Sequence, residues 1–315
     1  MRVLFLDQNK WIDIARVAKG DSALAPLRPV YERLCEDVDR GSLIAPLTVS
    51  HIIETAKRND VMSRMDVANV QARLSKGFVY RSRKARLLVE IRNALHIAFS
   101  ESPEDLPSNW AIVPGFMQAF ETFDTLVAAP DNARTSRLIN QHIDPAHQYL
   151  DYMQHQDDGR RRLAVRAFSD ESKALLARIE ERRALMTGSS MDMRYRAYAA
   201  RLFLDHQGFV AHMLEVIGHT VEEMKALGGE AIVQFVRDVP TLSVEAEIAA
   251  RLESQTGPLD VNDIRDSLSF YTAIPYSERL VAEKNFTSLA RQAKLQEKYN
   301  VTLHEKLEEL QCLWS

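Results

Sequence analysis

Two cysteines in 315 residues are too few for a disulfide framework, and Cys35 and Cys312 lie far apart without metal-ligand spacing. No Cys/His cluster competes for zinc. No apolar run approaches the roughly 20 residues that span a bilayer. The run Val3-Leu4-Phe5-Leu6 stops at Asp7 and is too short for the apolar stretch of a signal peptide. Basic charge is not in excess: 40 Lys and Arg face 44 Asp and Glu, a formal net charge of −4. That excludes a generally basic nucleic-acid coat but not a local basic groove, because a substrate responds to the field near it. A Gly-rich phosphate loop, an internal repeat and a low-complexity tract are missing too. The expectation is a soluble cytoplasmic protein with no membrane partner.

What is present is a globular composition, 46% hydrophobic and 27% charged, long enough for one large domain or two modest ones. The run at 3–6 predicts a strand buried on both faces, as in parallel α/β sheets. Helices are expected at 10–18 and 27–40, then a short strand at 43–47. Ser50 is a good N-cap for a following helix that carries Glu54. From about 60 to 254 strand signals nearly vanish. Helices are expected at 65–99, with a break near Gly77, and at 115–127, 136–155, 170–186, 191–227 and 244–253. Pro103, Pro107 and Pro114 mark a loop. The α/β pattern returns with a helix at 263–272, a strand at 279–282, a helix at 286–298, a strand at 301–303 and a final helix at 305–313. The predicted architecture is α/β, with a discontinuous domain at 1–60 and 255–315 and a helical insertion at 61–254.

Ligands of parallel α/β sheets sit beyond the carboxyl ends of the strands. Asp7 and Glu283 each follow a strand directly. Glu54 lies one turn into the helix after the second strand. Asp263 and Asp266 are three apart, hence on one helix face. Glu278 is a sixth candidate. Gathered carboxylates repel one another, and a hard divalent cation relieves that repulsion with oxygen ligands. Without a phosphate loop, such a site points to metal-assisted phosphodiester hydrolysis. Each acid also has an ordinary role: Asp7 and Asp263 as helix caps, Asp266 as a first-turn dipole partner, Glu54 on a polar helix face, Glu283 in a solvated pair with Lys284. The joint pattern carries the argument.

That pattern resembles the PIN-like nucleases. Val3-Leu4-Phe5-Leu6-Asp7-Gln8-Asn9 is similar to their opening strand and acid, with Asn9 as a supporting polar residue. Thr48-Val49-Ser50-His51-Ile52-Ile53-Glu54 is similar to the second motif. Asp266, with Asp263 one turn before it and Ala273 seven residues after, resembles the third-acid helix. Arg279-Leu280-Val281-Ala282-Glu283 resembles the closing strand, although the family more often has Asp where Glu283 stands. The resemblance covers about 1–60 and 260–315. It implies a three-layer α/β/α fold with a central, mostly parallel sheet and Mg²⁺ or Mn²⁺ held by Asp7, Glu54, Asp263 and Asp266. Glu283 completes the catalytic set. It also implies endonucleolytic cutting, usually of RNA, and a toxin or defence role.

Basic residues cluster in the middle. Arg81, Arg83, Lys84 and Arg86 beside Tyr80 form the expected substrate-binding group. Arg160 to Arg162 with Arg166, and Arg178 to Arg201 with Tyr195 and Tyr198, form others. Phosphates are held by Arg and Lys, and unpaired bases stack on aromatics; a solvated helix face paired with Glu residues reads equally well. Arg201 and His206 fit the Arg-x4-His pattern of another helical RNase family, the HEPN domains, and so do Arg137 and His142. Two matches in one chain show how readily that pattern arises. The expected activity is an RNA endonuclease. A DNA nuclease and a non-enzymatic nucleic-acid-binding adaptor are the alternatives. The insertion also fits a homodimer surface, and a toxin-like protein fits an inhibitor or activator protein.

Overall fold

The computed structural model describes residues 1–155 and 157–313; the side chains of Arg160 and Cys312, both singled out above, lie outside the described residues. The elements run β1 (Arg2–Leu6), α1 (Gln8–Ala18), α2 (Arg28–Asp39), β2 (Leu43–Ile44), α3 (Val49–Ala56), α4 (Val61–Ser75), β3 (Phe78–Tyr80) and α5 (Arg83–Ala98). There follow β4 (Ile112–Pro114), α6 (Pro130–His142), α7 (Pro145–His155), α8 (Asp158–Leu185), α9 (Met191–Asp205), α10 (Gln207–Ile217), α11 (Val221–Ala226) and α12 (Gly229–Asp238). The chain ends with α13 (Pro240–Ser254), α14 (Val261–Ala273), β5 (Arg279–Val281), α15 (Lys284–Gln292), α16 (Leu295–Tyr299) and β6 (Thr302–His304). This is a mixed α/β protein with many helices around a small sheet.

Four strands form a parallel sheet in the order β2-β1-β5-β6. The start and the end of the chain therefore pair directly, with Leu4, Phe5 and Leu6 opposite Arg279, Leu280 and Val281. Side chains alternate across a strand. Leu4 and Leu6 enter one apolar core with α1, α2, α4 and α7, while Val3 and Phe5 enter another with α13, α14 and α15. Burial on both faces is why β1 needs an unbroken apolar run. A third core joins α5, α9, α10, α12 and α13. The first core contains residues on both sides of position 60.

Several local expectations need correction. The helix bearing Glu54 is capped by Thr48, not Ser50: Thr48 Oγ1 accepts from His51 N, and His51 Nδ1 accepts from Thr48 N. The expected helix at 65–99 contains a strand, β3, which pairs antiparallel with β4 from the Pro-marked loop. Gly77 turns the chain there at φ +73°, and a Cβ would strike the Pro145 backbone at 2.2 Å. The stretch 115–127 forms only a 3₁₀ turn at Phe116–Ala119, and the last segment is a 3₁₀ turn at Leu307–Leu313. The helix expected at 136–155 divides before Pro145, the stretch 191–227 divides into α9, α10 and α11, and 286–298 divides at Lys294, which adopts φ +54°. Helix α12 was not anticipated.

Phe5 is fully buried, stacked on His51 at 5.2 Å and edge-on to Phe270 at 6.3 Å. It thus joins β1 to the two helices that bear Glu54 and Asp266. Phe5→Ala should lower unfolding stability by about 3–5 kcal/mol, the usual cost of deleting a buried aromatic, as read from urea titration.

Candidate functional site

Asp7 stands where β1 becomes α1. Its backbone N–H donates to Val281 O at 2.9 Å, extending the β1–β5 ladder by one bond. Its Oδ1 accepts from Gln8 N at 2.7 Å, so the side chain caps α1 and is only 4% exposed. Glu283 follows β5 at the same sheet edge. Asn9 Nδ2 donates to Glu283 Oε1 at 2.5 Å, so the polar residue beside Asp7 orients Glu283. Glu278 precedes β5 at the opposite end of that strand and does not join this edge.

Glu54 is brought in by α3. The Thr48–His51 capping box starts that helix, and the His51 ring is buried between Phe5 and Trp11. Burial pushes the imidazole down to about 3, so it stays neutral. A buried polar chain then ties α1, α3, α4 and α7 together. Gln8 Nε2 donates to Thr55 Oγ1 at 3.3 Å, Thr55 Oγ1 to Gln71 Oε1 at 3.0 Å, and the Tyr149 hydroxyl to the same Gln71 oxygen at 2.5 Å. Arg161 of α8 clamps the far end of α3 by donating to Ala56 O at 3.1 Å and Lys57 O at 3.3 Å. Sequence reading missed His51 and Thr55, one turn and one residue from Glu54, and Gln71 of α4, which holds Thr55.

Asp266 lies one turn into α14. Asp260, not Asp263, is the N-cap; Asp263 Oδ2 accepts from Asp260 N at 2.9 Å and closes a capping box. Asp263 is therefore partly committed to the helix end. All five expected acids, Asp7, Glu54, Asp263, Asp266 and Glu283, line one open cleft of about 460 Å³. Asp260 adds a sixth carboxylate, and Lys57 and Arg58 supply cations at the same cleft. Lys57 Nζ lies 3.8 Å from Glu54 Oε1.

These acids stand close enough for their charges to act on one another. Burial raises the Asp7 carboxyl to about 6 against its bond from Gln8 N, with Glu283 and Glu54 adding to the rise. Burial, and then the charges of Asp7, Glu54, Glu283 and Asp263, together raise Asp266 to about 8. Every donor is a carboxylate oxygen, the type that hard cations prefer. Among the described residues, no three His, Cys, Asp or Glu side chains stand close enough to form a ready-made ligand set for a metal ion.

The expected substrate-binding arginines lie elsewhere. Arg81 is engaged by the buried Asp124 at 2.7 Å and by Trp110 O at 3.2 Å. Arg86 is buried and donates to Arg81 O at 2.7 Å and Thr272 Oγ1 at 3.1 Å. These two guanidinium groups are consumed inside the fold, where their charge offsets buried oxygen acceptors, and they do not form a phosphate-gripping face. Arg83 pairs with Glu245 at 2.6 Å, and Lys84 is exposed. Arg137 and His142 lie on α6 and do not line the acidic cleft.

Comparison with family models, with curated proteins and with solved structures gives no match for this chain.

The two raised carboxyls make a signed pH prediction. Their folded values exceed the unfolded value of 3.8, so the folded state holds extra protons between about 4 and about 8. The cation-free protein should therefore lose stability as pH rises across that window, with no penalty below it. Asp266→Asn should flatten the profile and stabilise the cation-free protein at pH 8 by on the order of 2 kcal/mol, measured by chemical denaturation in chelator.

Proposed function

We propose that this chain is a metal-dependent endoribonuclease of the PIN-like kind, with the three-layer α/β/α arrangement that resemblance implies. The observation that carries the reading is the convergence of acids from four separate segments on one cleft beyond the strand ends. A structural use for all of them is hard to sustain. Asp7, Asp260 and Asp263 cap helices with their side chains, while Glu54, Asp266 and Glu283 line the same cleft without a side-chain cap bond, Glu283 being the N-cap residue of α15 by position. Their mutual repulsion is a standing cost to the fold that a bound cation removes.

Asp7, Glu54 and Asp266 would hold Mg²⁺ or Mn²⁺, with Glu283 completing the set and Asp263 at its margin. When bound, the ion supplies the positive charge and Lewis acidity that phosphodiester hydrolysis requires. The chain's own groups do the positioning. Asn9 fixes Glu283, which is exposed and lines the cleft, and Glu283 would take a proton from the attacking water. Lys57 and Arg58 offer donors to the phosphates on either side of the cut. Water adds to phosphorus, the bond to the 3′ oxygen breaks, and that oxygen gains a proton. The products carry 5′-phosphate and 3′-hydroxyl ends. RNA is preferred to DNA on the strength of the resemblance.

Labelled RNA and single-stranded DNA, incubated with Mn²⁺, Mg²⁺ or chelator, test this directly. Wild-type protein should cut RNA only with the ion, and Asp7→Asn and Asp266→Asn should each fall to background. Asn9→Ala should lose about 10–100-fold while keeping the same cut positions, as for other residues that orient a metal ligand. Cutting that survives in both Asp variants would rule out the acidic cleft as the active site.

A further inference from the structure

A second cleft, of about 410 Å³, lies among α5, α8, α9, α13 and α14. Its volume is within the roughly 300–1,000 Å³ typical of small-ligand sites. It differs from the acidic cleft in being lined by four arginines. Arg83, Arg178, Arg182 and Arg201 line it, with His206 and Tyr198. Three carboxylates, Glu171, Asp205 and Glu245, share the lining with the four arginines, and a fourth, Glu253, pairs with Arg182.

Most of these arginines are held in place by a neighbour. Arg182 Nε donates to Glu253 Oε1 at 2.6 Å, and its guanidinium carbon sits 4.5 Å from the centre of the Tyr198 ring. Arg83 is fixed by Glu245 at 2.6 Å and lies 3.4 Å from His206 Nε2. Arg201 pairs with Asp205 at 3.0 Å on its own helix. Burial, and then the Arg83 charge, hold His206 below its usual range, so it offers a neutral ring. Arg178 is the exception. It is exposed and makes no ion pair or side-chain hydrogen bond among the described residues. A free guanidinium beside pre-positioned ones suits a phosphate, whose oxygens accept the paired N–H bonds of arginine.

Apart from Ser172, the remaining lining is apolar: Phe168, Leu175, Leu202 and Leu268. Such a wall suits the flat face of a nucleobase, and Glu245 and the Tyr198 hydroxyl suit ribose or base donors. The geometry points to this pocket as a binding site for a nucleoside phosphate, anchored by Arg178 and Arg201. The same chemistry is offered by a free mononucleotide and by one nucleotide of an RNA strand. Leu268, on the pocket wall, is two residues after Asp266 on α14, so an occupant would rest on the helix that carries an acid of the other cleft. The proposal does not depend on cutting.

The test is calorimetric titration of the full chain, in chelator, with AMP, with inorganic phosphate and with a five-residue oligoribonucleotide. AMP should bind at least tenfold more tightly than phosphate. Arg178→Ala and Arg201→Ala should each weaken AMP at least tenfold, the loss of one charge-assisted contact. Asp7→Asn should leave AMP affinity unchanged. An oligonucleotide that binds more tightly than AMP and is weakened by Arg178→Ala identifies a strand as the source. One that binds no more tightly identifies the free nucleotide. The proposal is overturned by absence of binding of both AMP and oligonucleotide, by phosphate equalling AMP, by Arg variants that bind like wild type, or by AMP affinity that falls in Asp7→Asn. Because Arg178 is exposed and makes no ion pair among the described residues, its loss should leave folding intact, which circular dichroism checks.

Discussion

The pairing of β1 with β5 is the contact on which the rest depends. Three residue pairs join the start of the chain to a segment about 275 positions later, and the ladder continues through Asp7 N to Val281 O. A parallel neighbour places the carboxyl ends of both strands at the same edge. Asp7 and Glu283 meet there because of register, not because of any attraction between them. Their like charges oppose the meeting, and the apolar faces of β1 supply the compensation. Each fully buried aliphatic or aromatic side chain is worth roughly 1.5–3 kcal/mol, and Val3, Leu4, Phe5 and Leu6 are all buried.

That balance also explains the second tier of structure. Glu54 and Asp266 sit on different helices, and both helices lean on Phe5, through His51 on one side and Phe270 on the other. The neutral, buried His51 and the Gln8–Thr55–Gln71–Tyr149 chain fix α3 without introducing another charge. A cleft already crowded with carboxylates tolerates rigid neutral supports better than ion pairs, which would compete for the acids. Arg161 adds a charged support, which binds backbone carbonyls at the end of α3.

The sheet was legible because a strand buried on both faces has a distinctive sequence, and Val3-Leu4-Phe5-Leu6 ending in Asp7 is a clear instance. The acids were legible because strand ends and helix spacing are local properties. The caps were less so. Ser50 and Thr48 are both good cap residues, and only the reach of the His51 ring to Thr48 N decides between them. Strand β3 was hidden because three residues between two helices leave too short a pattern, and its partner β4 is remote in sequence. The basic groups misled for a related reason. Arginine looks the same in sequence whether it faces a phosphate or, like Arg86, a buried carbonyl and hydroxyl.

The central claim is that the carboxylates at the end of β1 and β5 form one cation site. Crystals soaked in Mn²⁺ and measured at its anomalous edge test that most directly. The account predicts a single strong peak within coordination distance, about 2.2 Å, of Asp7 and Asp266 oxygens, with Glu54 or Glu283 as a further ligand. A well-ordered cleft with no peak at millimolar Mn²⁺, or a peak held by other residues, would contradict it.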